Sequence, residues 1–328
     1  MQTLPLRRSA RHQSNYVTVN QTPPHQTQTH KHKANTPQSI QDSTTISVLP
    51  QKLPDKLPGL TKRGVQLLRS KQLHLRSPQS QAHNIHDFYG QKSDKSTLLK
   101  QAINATLVFA QEEAGTAICI SSSGLLLTCS HCVAESADEL DTDKIWWLLF
   151  ASGQALQAKT VKWDPKRDLA LLQITATQHN QSVGNILDMD SKTLPSASSF
   201  VFPSISHISR IPPPVRTNLI CIGHPGSEDL EIGRPGVATG YDVLHISEGK
   251  FCGYAKGQDV QDNSEIGALM HDCWTYWGHS GAPLVERKTG ALVGLHSSWD
   301  EETGMRRGVG WEALGAFMKE WEEEELQL

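Results

Sequence analysis

The sequence predicts an all-β fold: two packed six-stranded antiparallel β-barrels, with a C-terminal α-helix and a disordered basic N-terminal segment. Three observations predict it. Short apolar runs separated by turn residues recur from about residue 105 to 298. A polar, proline-rich stretch divides these runs into two groups. The last 18 residues, "WEALGAFMKEWEEEELQL", carry an apolar face at helical spacing.

Residues 1–82 hold 12 of the 31 Lys and Arg, 2 of the 34 Asp and Glu, and one aromatic residue, Tyr16. So little apolar surface does not offset the entropy of ordering a chain, which predicts disorder over the whole of 1–82. The remaining 83–328 is acidic and carries all eight tryptophans, and is read as one folded domain. No run of about 18 apolar residues is present, so no membrane span is expected. The N-terminal stretch lacks the apolar core of a secretory signal, which points to an intracellular protein, with cytoplasm, nucleus and mitochondrion left open. Its arginines and hydroxyl side chains fit either a transit peptide or a plain basic tail. Nucleic acid is not an expected partner of the folded domain, and the oligomeric state is left open.

The first barrel is placed at about 100–175. It opens with a capped helical stretch at Ser96 and a strand at 105–109, followed by the hairpin "TAICIS" and "LLLTCS" around Ser122, Ser123 and Gly124. "IWWLLF", "ALQAKTVKW" and "LALLQI" complete it. The linker spans about 176–215, with the triplet Pro212 to Pro214 near its end. The second barrel and helix fill about 216–328: "NLICIG", a weaker 237–247, "KFCGYA", "APLVE" and "ALVGLHSS", then Trp311, Leu314, Phe317, Met318 and Trp321 at steps of three and four.

Six cysteines in a long chain without a secretory signal do not suggest a disulfide scaffold. Cys129, His131 and Cys132, with His271 and Cys273, raise the question of zinc. No second C-x-x-C or H-x3-H completes a ligand set at standard spacing, so the thiols are read as buried and reduced, and no metal is expected.

Nucleophilic catalysis by serine needs a hydroxyl, a base within reach and a third group that fixes the base's tautomer. Ser280 lies in "GHSGAP", where Gly278 and Gly281 allow a tight turn that presents N–H groups to a developing oxyanion. His131 ends an apolar strand in "LLLTCSHCV", and Asp168 precedes another in "WDPKRDLALL".

These segments, in the order His, Asp, Ser, resemble the trypsin-fold serine peptidases from about residue 100 to 328. "GTAICISSSGLLLTCSHCVAE" is similar to the family's histidine segment, "DPKRDLALLQI" to the aspartate segment of HtrA-like members, and "GHSGAPLV" to the serine segment G-[DN]-S-G-G-P. The 48 residues after Ser280 leave no room for a PDZ domain.

The resemblance implies a serine endopeptidase acting on polypeptides without a cofactor. Its triad is His131, Asp168 and Ser280, and the N–H groups of Gly278 and Ser280 form the oxyanion hole. Trp274 stands where trypsin-like enzymes carry a pocket aspartate, which argues against Lys or Arg preference. Thr275 and His296 match the pair that holds a substrate carboxylate in glutamyl endopeptidases, implying Glu or Asp before the scissile bond. Ser297 matches the residue whose hydroxyl and carbonyl support the aspartate and the substrate backbone.

His279 stands where secreted relatives carry an aspartate that pairs with a freed N-terminus, so activation by N-terminal cleavage is not expected. Cys119 is offset from the usual partner of Cys132, placing that pairing on the wrong strand face. His279, Trp274 and Trp277 keep open a rival reading, a catalytically silent binding or scaffold module with the same fold. A peptidase kept latent by its N-terminal segment is a third.

Overall fold

The computed structural model describes residues 46–82, 94–110, 115–179, 200–205, 207–228 and 237–327. The chain runs as β1 (Ser47–Leu49), α1 (Lys62–Leu75), α2 (Asp94–Ala105), β2 (Thr106–Phe109), β3 (Thr116–Cys119), β4 (Leu125–Thr128), β5 (Trp146–Phe150), β6 (Ala155–Asp164) and β7 (Leu169–Gln178). It continues as β8 (Asn218–Gly223), β9 (His245–Tyr254), β10 (Leu269–His271), β11 (Pro283–Glu286), β12 (Leu292–Trp299), β13 (Arg306–Gly310) and α3 (Trp311–Glu325).

Both barrels close with six strands. In the first, the order β7-β4-β3-β2-β5-β6 returns through β6 to β7; the second is β10-β13-β12-β11-β8-β9. Closure removes the unpaired strand edges that would otherwise template association. The second barrel uses two strands the sequence did not suggest, β10 and β13, because "LMH" is short and "RRGVG" is charged and glycine-rich. The weak 237–247 region yields a strand only from His245, continuous with the "KFCGY" run.

One expectation is corrected. Disorder was expected over 1–82, but residues 46–82 are folded against the first barrel; residues 1–45 lie outside the described part. Composition misled because it was averaged over 1–82: residues 46–82 carry eight leucines against two in 1–45, and the buried ones of α1 are placed at helical spacing. Val65, Leu68 and Leu75 are buried, and Thr61 caps the helix by accepting the Gly64 N–H at 3.0 Å. β5 explains the need for this cover: all five of its residues are buried, so both of its faces are shielded from water. Pro58 accepts the Trp147 indole N–H at 2.8 Å, and the ammonium of buried Lys71 donates to the Phe109 carbonyl at 2.9 Å. β1 adds in parallel to β7, pairing Val48 with Thr177.

This assigns α1 a measurable share of the stability. Leu68 is fully buried, and Leu68→Ala is expected to cost about 2–5 kcal/mol in denaturant unfolding. A change below about 0.5 kcal/mol, the size of an ordinary surface effect, would show that α1 is not part of the cooperative fold.

At the other end, α3 buries Ala313, Leu314 and Phe317. It clamps the β6–β7 turn, where Arg167 makes a two-pronged pair with Glu320 (2.9 and 2.7 Å) and also donates to Asp164 at 2.7 Å. No helix among the described residues is long and apolar enough to cross a membrane.

Candidate active site

Strand register brings the first two residues together. Thr128 of β4 pairs with Ala170 of β7, so the chain just after Thr128 and the chain just before Ala170 share one end of the barrel. There His131 sits in a single 3-10 turn, Ser130–Cys132, and its Nδ1 lies 2.8 Å from Oδ1 of Asp168. Asp168 is fully buried and adopts φ +57°, a left-handed conformation that aspartate tolerates better than most residues. The Arg167 clamp and the bond from Asn263 N–H to the Lys166 carbonyl (2.8 Å) hold that turn.

A buried carboxylate needs donors, and this one has them. Oδ1 also accepts from the Ser130 hydroxyl at 3.0 Å and the His131 N–H at 3.4 Å; Oδ2 accepts from the Ser297 hydroxyl at 2.6 Å. The sequence reading did not name Ser130, whose only signal was its place directly before the histidine.

Ser280 comes from the second barrel and is fastened to the first. Its carbonyl accepts the Thr116 N–H at 2.8 Å and the Cys132 thiol at 3.5 Å, which sets it beside the residue following His131. Its hydroxyl donates to the Ser297 carbonyl at 3.3 Å. The turn before it is closed by the His279 N–H on the Tyr276 carbonyl (3.1 Å), with Gly278 at φ +93°, the type II arrangement that requires glycine third. A Cβ at Gly278 would sit 2.7 Å from the His224 carbonyl oxygen, so no side chain fits there. The Thr116 hydroxyl donates to the Gly278 carbonyl at 3.2 Å, fixing the turn to β3. Among the described residues, neither the Gly278 nor the Ser280 N–H has a protein acceptor.

Behind the turn lies a group of imidazoles. His279 is fully buried, with Nδ1 3.1 Å from both the N–H and the carbonyl of Tyr276, and its ring is 6.4 Å from that of His296. His296 Nδ1 lies 3.1 Å from Nε2 of His271. Burial, then the neighbouring His296 and His245, holds His279 well below the usual histidine range. Burial likewise depresses His224 and His296, and burial with the Arg306 charge brings His271 down to about 3. These rings are neutral at pH 7.

The sign of the pH effect follows. Below about pH 6.5 the unfolded chain takes up protons that the folded imidazoles refuse, so stability present above that pH is lost as the pH falls toward the folded values. Each such group contributes up to about 1.4 kcal/mol per pH unit. Four together would exhaust an ordinary domain stability of about 5–15 kcal/mol within a few units. We expect the unfolding temperature to fall steeply from pH 7 to pH 5; an unchanged value would contradict the buried neutral assignment.

Of the pocket residues suggested by the sequence, Thr275, His296 and Ser297 are all buried near this turn, but no hydrogen bond joins Thr275 to His296. Ser297 serves Asp168 and Ser280 directly. Trp274 is enclosed by Tyr241 (4.8 Å between ring centres) and His245 (4.5 Å). Arg306 went unnamed in the sequence, and His271 was considered only as a zinc ligand, because β10 and β13, the strands that carry them, were not read.

Cys129, His131 and Asp168 place one sulfur, one nitrogen and one oxygen within 4.8 Å of one another, a donor set in principle open to a metal ion. The Asp168 oxygens already accept the hydroxyls and N–H groups above, so an ion there would have to displace them. Cys132, His271 and Cys273, the other residues weighed for zinc, lie outside this trio. The Cys119 thiol donates to the Ser121 carbonyl at 3.1 Å and Cys132 to Ser280, and burial pushes both thiols up to about 12.

Two six-stranded β-barrels, with Ser280 of the second tied through its carbonyl to Cys132 of the first, next to the His131–Asp168 pair, make up a double-barrel architecture. A family model described as a trypsin-like peptidase domain matches residues 115–295, more than half of the chain, and the chain belongs to that family of peptidases. Among solved structures, it is similar to the Rv3671c protease of M. tuberculosis H37Rv in its inactive form, at 15% identity and a TM-score of 0.44, over 68% of this chain and 92% of that one. The inactive form of a serine-to-alanine mutant of Rv3671c gives 13% identity and a TM-score of 0.45, over 68% and 89%. No curated protein matches the chain.

Proposed function

We propose that this peptidase is a serine endopeptidase. Ser280 is the nucleophile, His131 the general base and acid, and Asp168 the group that orients the imidazole. The observation that carries the reading is the 2.8 Å His131–Asp168 contact, made by a fully buried carboxylate held by hydroxyls and backbone, beside a serine anchored to the neighbouring Cys132. With Asp168 accepting from Nδ1, the tautomer leaves Nε2 free to take a proton.

The Ser280 hydroxyl turns from the Ser297 carbonyl to Nε2 and attacks the peptide carbonyl carbon while its proton passes to His131. The N–H groups of Gly278 and Ser280, which have no protein acceptor among the described residues, receive the oxyanion. The imidazolium then protonates the leaving amine. Water attacks the acyl-enzyme by the same route in reverse. No step calls for a cofactor.

For the residue before the scissile bond we propose Glu or Asp. Thr275 offers a hydroxyl and His296 an imidazole N–H. His271 stands behind His296, and Arg306 pairs with His271 across β10–β13, near enough for its charge to disfavour protonation of both rings. A neutral donor pair backed by a permanent cation suits an anionic side chain.

The test is mass-spectrometric mapping of cleavage in a mixed peptide library by the wild type, Ser280→Ala and Arg306→Ala. The expected result is cuts after Glu or Asp that vanish with Ser280→Ala and lose their acidic bias with Arg306→Ala. Serine-dependent cuts after other residues would discard the pocket but keep the triad. No serine-dependent cuts would favour the silent scaffold.

A further inference from the structure

The N-terminal segment does more than cover β5, because it grips both barrels. On the first, Lys71 donates to Phe109, and the Gln72 amide donates to the Gly153 carbonyl at 2.8 Å and to the Gln178 side chain at 2.9 Å. On the second, its contacts converge on Asp242, just before β9. The Gln81 N–H donates to Asp242 Oδ2 at 2.9 Å, and His74 Nε2 lies 3.3 Å from Asp242 Oδ1. The Gln81 side-chain oxygen accepts the Ile246 N–H at 3.1 Å, and Arg63 pairs with Glu228.

The stretch it grips supports the wall of the catalytic turn. Tyr241 packs on Trp274 and, at 5.5 Å, on Tyr276, while His245 packs on Trp274. The His224 ring is 2.7 Å from the Val243 carbonyl, and Thr239 donates to the Gly226 carbonyl at 3.2 Å, so the 224–228 and 238–246 limbs hold together. The His224 carbonyl and the Gly226 backbone lie directly under Gly278. The segment at 61–82 therefore connects through Asp242 to the turn that carries both oxyanion donors. His279, buried and neutral beside Ser280, cannot supply an ion pair to order that turn.

We propose that residues 61–82 are a built-in activation strap, in which Gln81, with its backbone N–H on Asp242 and its side-chain oxygen on the Ile246 N–H, is a positioning residue for the 276–280 turn. This rests on the serine-peptidase reading. The strap orders the oxyanion donors as part of folding, without a cleavage event.

The experiment compares full-length wild type, Asp242→Ala, Asp242→Asn and Gln81→Ala in peptide turnover and in hydrogen exchange. Asp242→Ala is expected to lower kcat by at least about tenfold, the effect of losing its charge-assisted hydrogen bond, and Gln81→Ala, which keeps the backbone N–H on Asp242 but loses the neutral bond from the Ile246 N–H, by about fivefold. Exchange at 238–246 and 274–280 should quicken, with the strands of the first barrel unchanged. Asp242→Asn should recover part of the loss, since its one amide oxygen can accept the Gln81 N–H or the Leu244 N–H, which bond different carboxylate oxygens in the wild type at 2.9 and 3.1 Å.

Wild-type turnover and exchange in both Gln81→Ala and Asp242→Ala would overturn the strap. Should Asp242→Ala fail to fold, Gln81→Ala and Asp242→Asn decide. Quickened exchange in variants of a wild type that cleaves nothing would sink the peptidase reading while leaving the coupling intact.

Discussion

Ser280→Ala is expected to lower kcat by about a million-fold, with substrate binding largely retained, because the hydroxyl is the only atom lost and the acyl-enzyme has no other route. His131→Ala is expected to cost about as much, and the double variant no more than either alone, if the two groups act in one step as proposed. The fold should not change. Ser280 makes its anchoring contacts to Thr116 and Cys132 through its carbonyl, which alanine keeps. Kinetics on any peptide cleaved by the wild type checks this; additive losses would mean that the serine and histidine serve different steps.

The second large effect is at Asp168. Asp168→Asn is expected to lower kcat by about 10⁴-fold while the unfolding temperature moves little. Asparagine accepts the φ of +57° as readily as aspartate, and its oxygen can still take the Ser130 or the Ser297 hydroxyl. What changes is the partner of His131 Nδ1. If the new amide presents NH2 there, the imidazole must carry its proton on Nε2, where it cannot take one from Ser280 in the proposed step. Equal losses of stability and activity would instead make Asp168 a structural residue.

How much was legible in the sequence depended on how local each signal was. The hairpin at 116–128 and the strands at 146–178 were readable, because each buries its own apolar run and turns at its own glycine or serines. His131, Asp168 and Ser280 could be singled out as candidates because each sits in a short motif beside a strand end; the structure puts His131 on Asp168 and ties Ser280 to Cys132. Hidden were features set by distant partners: β13 is a strand because β12 and β10 flank it, with Arg307 and Gly308 in registers that no local pattern specifies.

The same holds for residues 46–82. Averaged over 1–82 the composition matches that of a disordered tail, but 46–82 alone carries eight leucines, and Leu68 and Lys71 fold because β5 and Phe109 present a surface that needs cover. The Asp242 contacts were invisible for the same reason, as Gln81 and Asp242 are brought together only by the folded barrels. His271 and Arg306 became pocket candidates only once β10 and β13 were in place.

The most direct test of the central claim is the site of reaction with a fluorophosphonate, which phosphonylates a serine only when a base and an oxyanion site stand ready beside it. The account predicts a single adduct, located on Ser280 by peptide mass spectrometry, and none when His131→Ala is treated in the same way. An adduct that persists in His131→Ala, or a folded wild type that never reacts, would contradict the account.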